Sequence, residues 1–198
     1  MDTDEFWAVI AAARADTAPE RPFHQALVDR LSALGGPGVL AYEECFDRLH
    51  GRLLRWDVWA AAYLIGGGCS DDSFTDFRAG LIALGREWYE RAVEAPDSLA
   101  EHPVVLAAAA AGGDGAVFYE EAGYAAAHAY ARLTEDGGRF AEAYARHRAA
   151  RPSLPGPDLG EDFDFGDPAE MHRRLPRLAA LFPGPVDGPT GSAGCAGR

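Results

Sequence analysis

The sequence predicts an all-α fold, and three features carry that expectation. Apolar residues recur every three or four positions along most of the chain, no segment alternates with the two-residue period of a strand, and glycine, proline and capping residues separate the periodic stretches. A chain of 198 residues can bury a substantial core as one unit. One compact multi-helix domain over residues 1–182 is therefore expected, followed by a Gly/Pro-rich disordered tail over 183–198.

Thr3 is positioned to cap a first helix carrying Phe6, Trp7, Val9 and Ile10. A second helix runs from about Pro22 to Leu34, where Gly35-Gly36-Pro37-Gly38 stops it. Val39, Tyr42, Phe46, Leu49, Leu53, Trp56, Ala60 and Tyr63 then step by three and four, which predicts one long helix with a buried aromatic stripe. Gly66-Gly67-Gly68 ends it, and Ser70 caps a further helix in which Phe74, Phe77, Leu81, Leu84 and Trp88 repeat the spacing. Asp71 and Asp72 place negative charge at the positive end of that helix.

Ala95-Pro96-Asp97-Ser98 breaks the pattern, and the Ala/Gly-rich stretch from Val104 to Gly115 fits either a frayed helix or a loop. Val117 to Leu133 reads as a helix with a narrow face of Ala122, Ala125, Ala126 and Ala129. Gly137-Gly138 separates it from a helix marked by Phe140, Tyr144 and His147. After a linker at Pro152 to Gly160, Asp167-Pro168-Ala169-Glu170 combines a cap, a first-turn proline and a glutamate. Pro176 interrupts this last helix, leaving two short turns that end near Phe182.

Charge narrows the function classes. Thirty-one acidic against eighteen basic residues give a formal net of −13, which repels a phosphate backbone, so no nucleic acid is expected as partner. Every basic residue is arginine, so neither a P-loop lysine nor a Schiff-base lysine exists, and no cofactor is expected. Cys45, Cys69 and Cys195 lack zinc or disulfide spacing and read as reduced thiols. An acidic start and the lack of an apolar run near the roughly 20 residues of a bilayer span point to a cytoplasmic protein without membrane contact.

The run from Trp56 to Ile65, followed by Gly67-Gly68-Cys69-Ser70-Asp71-Asp72-Ser73-Phe74 and Phe77-Arg78, is similar to a bacterial family. With Phe6-Trp7, Gly85-Arg86-Glu87, Tyr89, Pro96 to Ala100 and Phe118-Tyr119-Glu120-Glu121, it resembles the domain of unknown function 4240 family over about residues 4–133. The resemblance implies no activity. It departs near Gly80, where the family pattern carries tryptophan, and residues 134–182 fall outside it as extra helices.

Two constellations merit a chemical reading. Ser70, Asp71, Asp72 and Asp76 with Arg78 form an acidic junction that is either a cation or acid/base site or a helix cap with a neighbouring ion pair. Glu43, Asp47, His50 and Asp57 share one helix side, and Asp47-x-x-His50 has the spacing of helical-bundle metal ligands, with a similar stripe at Glu121, Tyr124 and His128; a solvated charged face explains the same pattern. Asp47, His50, Asp71 and Asp72 are thus the metal candidates. Asp57, between two tryptophans, requires a partner such as Arg78 or Arg55 if buried. Cys69 and Ser70 lack the context of a nucleophile.

The candidate pocket therefore lies where the Trp56 to Tyr63 helix meets the Ser70 to Arg78 helix, lined by Trp56, Asp57, Trp59, Ser70, Asp71, Asp72, Arg78 and Glu121. The first functional expectation is an acidic interaction or regulatory module with a basic protein or peptide as partner. The alternative is an enzyme acting on a small molecule or peptide, with the paired aspartates as acid and base or metal ligands.

Overall fold

The computed structural model describes residues 1–134, 139–151 and 156–183. Gly137-Gly138, residues 152–155 of the linker, Cys195 and the tail after Pro183 lie outside the described residues. Among the described residues the fold is all-α, with no strand and one isolated bridge between Ala18 and Arg21.

Helix α1 (Thr3–Ala15) is capped by Asp2, not Thr3. The Asp2 carboxylate accepts the Glu5 amide and the Glu5 carboxylate accepts the Asp2 amide, so an acid three positions on decides the boundary. After α2 (Phe23–Ser32), the Gly35-Gly36-Pro37-Gly38 run does more than stop a helix: it forms the first turn of α3 (Gly35–Arg52). Gly35, at φ +70°, makes the break, and Pro37 sits where its missing N–H leaves no bond unmade.

The single long helix expected through Tyr63 is two helices. α3 ends at Arg52, Arg55 is extended, and α4 covers Trp56–Ile65. No glycine or proline sits at Leu53 to Arg55. Tertiary donors hold the end instead: the Tyr89 hydroxyl donates to the Leu49 carbonyl at 2.9 Å and Arg78 to the His50 carbonyl at 3.2 Å. The stripe survives the break, since Val39, Tyr42, Phe46, Leu49, Leu53 and Ala60 are all buried while Trp56 and Tyr63 are half-buried.

Ser70 caps α5 (Asp71–Ala83) as expected, accepting the Ser73 amide. Trp88 belongs to a separate helix, α6 (Arg86–Glu94), because Gly85 adopts φ +94°. A 3₁₀ turn (Pro96–Glu101) leads to α7 (Pro103–Ala111), which resolves the Ala/Gly-rich stretch as helix up to the left-handed Gly112. The helix expected from Val117 starts later, as α8 (Glu120–Gly123) and α9 (Ala125–Leu133), with Val117 at φ +77° outside both. Then come α10 (Phe140–Ala149), α11 (Pro168–Arg174), capped by Asp167, and α12 (Pro176–Leu181).

One hydrophobic cluster runs from Phe6 in α1 to Leu178 in α12. Phe6 stacks on Tyr42 at 4.7 Å, Trp7 meets Tyr89 at 5.1 Å, and the alanine face of α9 is buried where that helix packs on α2 and α3. At Gly80 an added Cβ would stand 1.5 Å from the Val117 carbonyl oxygen, so the missing side chain lets the segment before α8 lie directly on α5. No helix among the described residues is long and apolar enough to cross a membrane.

Candidate functional site

Trp56 and Trp59, one turn apart on α4, stack at 5.5 Å, and Trp59 stacks in turn on Phe74 of α5 at 4.8 Å. The Trp59 indole N–H donates to the Cys69 carbonyl at 3.0 Å, fixing the ring across the glycine turn. The outer side of this shelf is covered: Phe165 packs against Trp56, Trp59 and Tyr63, and the Trp56 amide donates to the Leu159 carbonyl at 2.9 Å.

Asp57 pairs with Arg55 through both carboxylate oxygens, Nε to Oδ1 being 3.0 Å, and Arg55 also donates to the Val93 carbonyl. Of the two partners expected from sequence, Arg55 is the one used. Arg78, only 8% exposed, has no ion pair among the described residues. It donates to the His50 carbonyl and the Thr75 hydroxyl, lies 4.9 Å from the Phe74 ring centre, and leaves its Nε without a partner. Burial pulls its pKa down to about 10. Its cation faces the carbonyl end of α3, where positive charge is favoured.

The acidic junction is an exposed surface. Asp71 and Asp72 occupy the first turn of α5, and the Tyr119 amide donates to the Asp76 carbonyl at 3.1 Å, which sets the start of α8 beside them. Partial burial raises the Asp76 pKa, and repulsion from Glu120, Asp72 and Glu121 raises it further. Among the described residues none of Asp71, Asp72, Asp76, Glu120 and Glu121 makes an ion pair, although carboxylates elsewhere on the surface are widely paired with arginine. Tyr124, one turn beyond Glu120, is 53% exposed. Burial pushes the neighbouring Cys69 thiol up to about 11, away from nucleophilic use.

The second stripe does not stay together. Asp47 accepts the Tyr144 hydroxyl of α10 at 2.5 Å, His50 bonds the Thr75 carbonyl at 3.0 Å, and Asp57 turns to Arg55. Burial, followed by the charge of Arg78, lowers the His50 pKa to about 4. Glu43, covered beside Asp47, is pushed up to about 8, chiefly by burial and then by that neighbouring carboxylate. Among the described residues no three His, Cys, Asp or Glu side chains are grouped as metal ligands; Asp47 and His50 lie on α3, and Asp71 and Asp72 in the first turn of α5.

A family model described as "Protein of unknown function (DUF4240)" matches residues 1–132. The chain belongs to this family. No curated protein and no solved structure matches the chain.

The DUF4240 match ends in the last turn of α9, so α10 to α12 and the segment covering the tryptophans lie beyond it. These parts are nevertheless built into the fold. Glu44 of α3 binds His147, Arg148 and Arg151 at 3.2, 3.4 and 2.8 Å, and Asp97 accepts the Arg177 and Leu178 amides at the start of α12.

A feature not singled out from sequence appears at this boundary. Arg48, Arg52 and Arg55 border a groove of about 700 Å³ whose opposite wall is Gly156 to Gly160. The arginine spacing of four and three was readable on the α3 pattern, but the facing wall is a long-range product of the fold.

Proposed function

We propose that this DUF4240 protein is an interaction module that docks a basic, arginine- or lysine-rich segment of a partner protein on the junction of α5 and α8. The observation that carries this reading is the set of five carboxylates without ion pairs among the described residues, Asp71, Asp72, Asp76, Glu120 and Glu121. Their mutual repulsion is relieved by any cation brought among them, and exposed Tyr124 offers a ring face to a guanidinium. Acid/base catalysis by Asp71 and Asp72 calls for a concave site that excludes water, and the exposure of both aspartates supports docking over that alternative.

An octa-arginine peptide titrated onto the full chain tests the assignment. Replacing Asp72, Asp76 and Glu121 by their amides is expected to weaken binding about tenfold and flatten its salt dependence. The control removes the same charge from exposed Glu20, Glu94 and Asp114, and should weaken binding far less. Equal losses in the two triple variants would reduce the effect to net charge and end the proposal.

A further inference from the structure

We propose that α7 pairs antiparallel with α7 of a second copy of this chain about a two-fold axis, with Arg14 of each copy set against Asp114 of the other. This face shares no residue with the acidic junction, so the two proposals stand or fall separately.

Helix α7 is apolar on every side. From Pro103 to Gly113 no side chain is charged or able to hydrogen-bond, in a chain that is 25% charged, and a helix of that composition is ordinarily buried all round. In α7 only Val105 is buried. Val104 and Leu106 stand 49% and 45% exposed, and Pro103, Ala107, Ala110 and Ala111 are exposed with them. At 3.6 residues per turn these six fall on one side of the helix, opposite Val105. Contiguous apolar surface of this kind marks a contact with another macromolecule.

Shape and charge both select a second copy as the occupant. Along the exposed face the bulk lies at the start: Val104 and Leu106 flank the midline Pro103-Ala107-Ala110, and only methyl groups follow. A second α7 laid antiparallel seats its alanine end between that valine and leucine. A two-fold axis near Ala107 satisfies both ends at once.

Opposite charges stand at the two ends. Arg14 and Val104 line a shared recess of about 200 Å³ at the start of α7, and Asp114 follows the left-handed turn at Gly112 that ends it. Among the described residues neither makes an ion pair, Arg14 donating only to the Ala83 carbonyl at 2.6 Å. Antiparallel pairing brings each Asp114 to the other copy's Arg14 and to the positive end of its α7. Contact through other faces would press acidic surface on acidic surface, since each chain carries −13. The nine residues of α7 span about 14 Å, a smaller patch than the roughly 800 Å² per partner of a standard interface, so the dimer is weak and concentration-dependent.

Sedimentation equilibrium of the full chain, from low micromolar to near-millimolar concentration, tests the pairing. The average mass should climb from one chain toward two. Ala107→Glu places two carboxylates face to face at the axis and should weaken association more than tenfold, roughly the cost of apposed like charges in an interface. Leu34→Glu, an exposed leucine outside α7, should leave it unchanged. Arg14→Glu and Asp114→Arg should each weaken association about tenfold, and the double reversal should restore it. Asp114→Arg is the sharpest arm, because it reduces the net negative charge and would strengthen any association governed by net charge alone. Recovery in the double variant also separates the interface from the lost Arg14 bond to Ala83, which Asp114→Arg cannot repair. A chain that stays monomeric throughout, undiminished association in Ala107→Glu, tighter association in Asp114→Arg, or no recovery in the double variant would overturn the assignment.

Discussion

Glu43 sits on the covered side of α3 beside Asp47, and its carboxyl retains a proton to about pH 8 against an ordinary value of 4.5. Between those values the folded chain holds a proton that the unfolded chain has released, so stability falls as pH rises through this window and levels off above it. Glu43→Gln keeps the shape and removes the titration. The variant should be more stable than wild type by about 1–3 kcal/mol at pH 8.5, with little gain at pH 5. Urea denaturation at the two pH values decides it, and a pH-independent difference would show that Glu43 is ionised in the fold. Gly80 gives the opposite case at the same scale. Its added Cβ would meet backbone rather than a movable side chain, so Gly80→Ala should cost about 3 kcal/mol, read as a lower denaturation midpoint. Neither effect is visible in sequence, because each depends on what another segment brings to within a few ångströms.

Helices show where local reading succeeds and where it stops. The Ser70 and Asp167 caps, the glycine stop after Ile65 and the proline division at Pro176 follow from short-range chemistry and stand where the sequence puts them. The break at Leu53 to Arg55 has no local signal, since Tyr89 and Arg78 hold the freed carbonyls from later elements. Gly85 did carry a signal, but the apolar spacing ran through it and outweighed a lone glycine. The candidate site divides the same way: Arg55 was a foreseeable partner for Asp57, while Phe165 over the tryptophans was not. The start of α12 extends this argument to a prediction. Leu175 provides no side-chain cap there, and Asp97, from the 3₁₀ turn, accepts the Arg177 and Leu178 amides at 3.1 and 2.9 Å. Asp97→Ala should therefore cost about 1 kcal/mol, the usual loss of a cap. It should also speed hydrogen exchange at those two amides, and unchanged exchange there would show that the cap does not hold the helix.

At the scale of the molecule, the part beyond the DUF4240 match is an integral layer. Met171, Leu175 and Leu178 enter the common core, Glu44 anchors α10, and Phe165 closes the aromatic shelf on which the family-matching Trp56 and Trp59 stand. The same layer supplies the wall opposite Arg48 and Arg52, so the shelf and the groove are linked through residues 156–165. Loosening the segment at one end should be felt at the other. Phe165→Ala removes ring contacts with Trp56, Trp59 and Tyr63 at centroid distances of 6.1, 6.4 and 5.7 Å and should cost about 1–3 kcal/mol, while the deeper Phe6, Tyr42 and Tyr89 contacts persist. The Trp56 amide, which donates to Leu159, should then exchange faster than amides in α1 and α2. Unchanged exchange there would mean that Phe165 does not fasten the segment.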